Sequence, residues 1–232
     1  MSIMSGKSLP SGEGGFLITE DQMVYERAAA FGHYQRMPNL EDQSLKSSSG
    51  MPLGGYKYRM HQLSSAVGRV QLANYSQRIE VIQTAMNYFW DQMEDIPGIK
   101  AHRPSANSGS TMGGWYAAKG LYEAEELKGL PVTRFCEAMN AEGVEYRIMP
   151  GANVLMHLHP VMNEVDVYGD GQPTRIAFSD RDLRQGLGSL PVTESLPQRC
   201  LSVPWFKQYR REVIDEYVGA FRKVASKCGD LL

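Results

Sequence analysis

The scarce features of this 232-residue chain exclude whole classes of protein. Cysteine is scarce: Cys136, Cys200 and Cys228 stand far apart, odd in number and without metal-ligand spacing. They make no disulfide framework and fit a reducing compartment. Excess charge of either sign is absent. Lys and Arg total 24 against 26 Asp and Glu, so no basic stripe calls for nucleic acid or an anionic membrane. No apolar run approaches the roughly 18 residues of a membrane span. No positive segment followed by an apolar one marks a secretory leader. A cytoplasmic globular protein is expected, and no internal repeat appears. Hydrophobic residues at 42% and charged residues at 22% are ordinary for such a chain, and its 13 methionines read as adaptable core filler.

What is present begins at once. Lys7 sits between Gly6 and the cluster Gly12-Glu13-Gly14-Gly15. Glycines allow positive φ and let a backbone pass close to a ligand. A lysine held there is either a solvated surface charge or an amine whose proton can be removed, fit for a Schiff base with a carbonyl. A phosphate loop of the form G-x-x-x-x-G-K-[ST] is excluded, because Met1 stands where its first glycine belongs.

Down the chain, Phe16 to Thr19 reads as a short buried strand. Thr19 and Gln22 read as a capping box for a helix with Met23, Val24, Arg27, Ala28 and Phe31 at helical spacing. Residues 36–55 read as a long loop. Leu63, Val67, Val70, Ile79, Ile82, Met86, Phe89 and Met93 predict one long helix, ended by Ile96-Pro97-Gly98. A strand is predicted over residues 115–122. A helix follows over 132–142, with Thr133 as N-cap and Gly143 as its stop. Residues 144–149 alternate like a half-buried strand, and residues 150–171 read as loop. Leu201 to Val203 is a strand closed by Pro204. A last helix shows Val213, Tyr217, Phe221 and Val224 as its apolar stripe.

Four blocks resemble one family. Ser2, Lys7 and Gly12-Glu13-Gly14-Gly15 resemble S-x-x-x-x-K-x-L/I-x-x-G-E-G-G. The run from Gly55 to Leu72 resembles G-x-N-Y-R-M-x-x-x-x-A-A-x-G-x-x-Q-L. Leu190 to Glu194 and Leu201 to Pro204 resemble L-P-V-A-E and L-S-L-P. In this order they resemble the DegT/DnrJ/EryC1/StrS family of fold-type I aminotransferases dependent on pyridoxal 5'-phosphate. The resemblance implies an α/β fold. Residues 1–85 would be the C-terminal part of the large cofactor-binding domain, and residues 86–232 a small α+β domain, with the boundary inside the long helix.

It also implies function. Lys7 would hold the cofactor and move a proton; a histidine there would point to the dehydratase branch, so lysine favours transamination. Ser2 matches the serine that binds cofactor phosphate, or is a frayed terminal residue. Lys57 replaces the usual asparagine, which reaches the cofactor phosphate of a neighbouring subunit. Arg59 matches the family arginine, or is an ordinary charge at a helix start. His157 matches a histidine near the substrate mouth. His33 and Tyr34 are candidates for lining the site or capping the first helix. His157 and His159 lack a third ligand at metal-binding spacing, so no metal is expected.

The reaction implied moves an amino group from glutamate or glutamine to a keto-sugar or keto-cyclitol, as in antibiotic or surface-polysaccharide pathways. In the family the lysine lies near mid-chain. The other half, with the phosphate turn and most of the parallel sheet, is therefore expected on a complementary N-terminal subunit, in a heterodimer or a two-fold heterotetramer. The alternative is a non-catalytic subunit that stabilises or regulates a complete aminotransferase.

Overall fold

The computed structural model describes residues 1–51, 53–151, 153–174 and 176–232. They form two compact units, Met1–Ile79 and Glu80–Leu232.

The first unit holds α1 (Gln22–Gly32), α2 (Gln43–Ser47), α3 (Gln62–Ala73) and the start of α4 (Tyr75–Gln92). The cap of α1 is Asp21, two residues after the expected Thr19. Asp21 Oδ1 accepts the Val24 N–H, while Thr19 Oγ1 accepts the Asp21 N–H. Gln22 does not reach back; its amide donates to Glu26. The buried Glu26 carboxylate also accepts the backbone N–H groups of Glu41 and Asp42, at 2.7 and 2.8 Å. Those bonds hold its carboxyl below the usual glutamate range. They also explain why residues 36–55 are not a bare loop. The chain forms a 3-10 turn, Tyr34–Asn39, then α2 capped by Asp42. Pro52, inside that expected loop, lies outside the described residues, as does Ala152 in the later one.

Two further expectations fail here. Phe16, Leu17 and Ile18 are 41, 61 and 86% exposed and form no strand. A strand needs a ladder neighbour, and only Gly15 pairs, with Ser2. The single long helix is two. Asn74 ends α3: its side-chain amide donates to the Val70 carbonyl, one of the carbonyls a helix end leaves unpaired.

The second unit holds most of α4, β1 (Ile99–Ala101), β2 (Lys119–Tyr122), α5 (Val132–Ala141), α6 (Pro160–Asn163), α7 (Pro191–Arg199), β3 (Cys200–Ser202) and α8 (Arg211–Ser226). The three strands form an antiparallel sheet in the order β1-β2-β3, with Ile99 opposite Tyr122 and Leu121 opposite Cys200. Residues 115–118 leave the predicted strand because Trp115 and Ala117 are left-handed, both at φ 53°. Gly120 allows a close approach: a Cβ there would lie 3.0 Å from Trp90 of α4. Phe89 of α4, Phe135 of α5 and Phe221 of α8 form one fully buried aromatic cluster. In α8, Tyr217, Phe221 and Val224 are buried as the stripe predicts; Val213 is exposed and Ile214 takes the core position.

Residues 144–149 are not a strand. Asn140 brackets Ile148 with two side-chain bonds, to its carbonyl and from its N–H, and so takes the place of a ladder neighbour. α5 is preceded by Pro131 at its N-cap position, so Thr133 lies within the helix and caps nothing. Residues 150–171 carry a 3-10 turn, Met156–Leu158, and α6 within the expected loop.

Candidate functional site

The segment that carries Lys7 is closed on itself. The Ile3 N–H donates to Gly14 O at 3.0 Å and the Phe16 N–H to Met1 O at 2.9 Å. The Lys7 N–H donates to Met4 O and the Ser11 N–H to Ile3 O, which folds the intervening turn. Gly14 has φ 146°, closed to most side chains. A Cβ on Gly15 would stand 3.0 Å from Met1 O. The glycine cluster thus permits a close backbone crossing, and what crosses is the chain itself. Ile3 and Leu9 are buried beneath the loop, and Lys7 is half-buried.

This loop lies along α3 in reverse order. A Cβ on Gly14 would touch Met60, one on Gly12 would touch Ser64, and one on Gly68 would touch Ser11, at 3.5–3.6 Å. The Ser8 hydroxyl bonds that of Tyr75 at 3.1 Å. Residues 64 and 68 share one face of α3, and Tyr75 opens α4. The first two motif blocks are therefore one structure: the lysine turn laid on the helix that follows the Gly55–Met60 block.

Beside it, His33 stacks on Tyr34 with ring centroids 4.9 Å apart, and Lys57 Nζ lies 5.3 Å from the Tyr34 ring centre. Arg36 donates to Tyr58 O at 3.0 Å. His33 Nδ1 accepts the Gln35 N–H, which places the proton of the neutral ring on Nε2. Nε2 is buried with no hydrogen-bond partner. Burial, then the charges of Arg59, Arg36 and Lys57, hold the His33 pKa below the usual imidazole value. A donor without a partner among three cations suits an anion. A groove of about 940 Å³ runs between the glycine loop and α1, lined by Gly14, Gly15, Gly32, Arg36, Arg59 and Ser64 among others.

The expected site residues thus fall in three places. His33, Tyr34, Lys57 and Arg59 gather in one cationic cluster. Lys7 and Ser2 lie on the loop whose glycine end lines the adjoining groove; Ser2 is exposed and pairs with Gly15. His157 lies in the second unit, where its Nε2 sits 2.9 Å from Glu194 Oε1 and the ring is buried. Glu194 also accepts the N–H groups of Gly188 and Leu190. These bonds, that of His157 foremost, hold its carboxyl below the usual range. Arg36, Tyr75 and Glu194 were not singled out in the sequence. Only Glu194 carried a signal, its place in the Leu190–Glu194 block. Among the described residues no cluster of His, Cys, Asp or Glu could hold a metal ion. Nor is any helix there long and apolar enough to cross a membrane.

The family model of the DegT/DnrJ/EryC1/StrS aminotransferases matches residues 1–222. This chain belongs to that family. Its fold is that of the family's solved structures. The aminotransferase from Psychrobacter cryohalolentis superposes with a TM-score of 0.71 at 18% identity, covering 98% of this chain and 55% of that one. DesV from S. venezuelae gives 0.64 at 21%, covering 97% and 50%. In sequence, the GDP-4-keto-6-deoxy-D-mannose 3-dehydratase of Escherichia coli O55:H7 is 24% identical over 153 residues, which are 62% of this chain and 38% of that protein. As a DegT-family chain it spans about half the length of the solved structures it matches.

Proposed function

We propose that this chain is the lysine-bearing part of a pyridoxal-phosphate-dependent aminotransferase, which moves an amino group from glutamate or glutamine to a keto-sugar or keto-cyclitol. The observation that carries this reading is the Lys7 loop, glycine-closed and seated on α3 through Ser11 and Gly12 and on the first residue of α4 through Ser8. A loop held at so many points fixes the backbone from which the Lys7 amine extends, and proton transfer at a substrate carbon requires a positioned group.

Pyridoxal phosphate, when bound, supplies an electron sink conjugated to the reacting carbon. The orphaned His33 Nε2–H and the cations Lys57, Arg59 and Arg36 would make a donor set for a phosphate dianion, which by the place of Lys57 would be that of the cofactor on a neighbouring subunit. Lys57 would act as a point charge where the family has an amide. Lys7 would hold the cofactor covalently, and its Nζ would take the proton from the donor's α-carbon and return it on the other side of the reaction. Lysine rather than histidine at position 7 favours transamination over the dehydration named for the E. coli relative.

The test is a label. Borohydride reduction of the active protein, followed by digestion, should place the pyridoxyl group on the N-terminal peptide containing Lys7. Lys7→Ala should remove the label and lower turnover by at least about 10²–10⁴-fold, the usual worth of a proton-transfer group. Full turnover in Lys7→Ala, or the label on another chain, would leave this protein as a stabilising or regulatory subunit.

A further inference from the structure

In the second unit, the segment between β1 and β2 is fastened along its length. Ser105 O accepts both the N–H and the hydroxyl of Ser108, and Ser108 Oγ accepts the Ser110 N–H. Gln83 of α4 ties down the far end: its amide donates to Gly113 O, and its carbonyl accepts the Trp115 indole N–H at 3.0 Å. Trp115 and Ala117 are two of the three non-glycine residues at positive φ among the described residues. Backbone that its surroundings hold in that region is a mark of ligand clamps.

Fixed in this way, the segment forms one wall of a cavity of about 530 Å³, a size in the range of small-molecule sites. Gln83, Asn87 and Asp91, four residues apart on one face of α4, form the other wall. The charges of the cavity cancel. Arg103 bonds Asp91 Oδ1 at 2.7 Å and Asn87 Oδ1 at 3.3 Å, so an anion would meet the carboxylate and a cation the guanidinium. Hydrogen-bonding capacity is left over. Among the described residues nothing bonds Asp91 Oδ2, Asn87 Nδ2 or the hydroxyl groups of Ser105 and Ser110. The carboxylate oxygen only accepts, the amide nitrogen only donates, and the hydroxyls do both. Pro104 and Met112 add apolar surface beside them. A ligand that fits is uncharged, both donates and accepts at several points, and shows C–H faces between them. We propose that this cavity binds a neutral polyhydroxylated ring, a sugar or a cyclitol. Asn87 and Asp91, one turn apart on α4, offer a donor and an acceptor to neighbouring hydroxyls of that ring. The proposal is independent of the aminotransferase reading, since none of these residues is placed in that reaction.

The experiment is titration calorimetry of the full chain with glucose, myo-inositol and maltotetraose as probes. Saturable binding of at least one of them, one per chain, is expected. Tighter binding of maltotetraose marks the end of a glycan as the source of the ring; single rings that bind at least as tightly mark a free sugar or cyclitol. Asn87→Leu removes the spare donor and fills space, and should weaken binding at least ten-fold, about 1.4 kcal/mol. Ser105→Val combined with Ser110→Val should do the same from the other wall. Both serines are exposed, so this variant should keep the circular dichroism and melting temperature of the wild type. Inorganic phosphate at equal ionic strength should not displace the ring. No binding of any of the three probes, undiminished binding by either folded variant, or displacement by phosphate would overturn the inference. Lys7→Ala should bind the ring as the wild type does, so failure here and failure of the catalytic reading are separate results.

Discussion

Gly15 is fixed by its neighbour across the loop. Met1 O lies 3.0 Å from where a Cβ would stand, and the same oxygen accepts the Phe16 N–H. Gly15→Val therefore has to push the two segments apart. It should cost about 1–3 kcal/mol of local stability, as overpacking does. Hydrogen exchange reads this directly: the Ile3 and Phe16 amides should lose protection while α8 amides keep theirs. Glu194 gives a second test, in pH. Its folded pKa is depressed, with the His157 bond the largest cause. A depressed carboxyl contributes stability that is present above its unfolded value, about 4.3, and is lost as pH falls through the lower folded value. Urea unfolding of the wild type should therefore show stability falling with pH across that window. Glu194→Gln should be less stable at pH 7 and flatter in the acid range.

At the scale of elements, local pattern and tertiary pairing part company. α5 and α8 were legible because their apolar periodicity is complete and each finds its core. The central part of β3 was legible because Pro204 closes it. The expected strand at residues 144–149 alternates correctly, but the Asn140 side chain claims the Ile148 backbone. No periodicity reveals a bond of that kind. The break at Asn74 was missed because neither Gly nor Pro marks it; the asparagine itself was the signal. The lysine loop was legible as a motif, yet its seat on Gly68 and Tyr75 was not, since that contact joins positions some sixty residues apart. Where the core is complete, its energetics follow. Phe221 is fully buried and packs on Phe89 and Phe135. Phe221→Ala should cost about 3–5 kcal/mol, read as a lower melting temperature of the second unit.

The two units differ in how much they bury by themselves. In the second, residues from α4, α5, α8 and the sheet share one core. In the first, the buried hydrophobic cluster is Ala29, Ala30, Met37 and Leu40, with Tyr34 and Leu45 packed against it. A unit with so small a core opens at low free energy, because little apolar area returns to water. Hydrogen exchange on the chain alone should therefore divide within a single helix. Amides of residues 82–92 in α4 should exchange with α5 and α8, at the slowest rates. Those of residues 75–79 should exchange with α1 and α3, faster by about 10²-fold or more if the openings differ by roughly 3 kcal/mol. Uniform protection along α4 in the chain alone would show that the first unit draws its stability from something other than its own core.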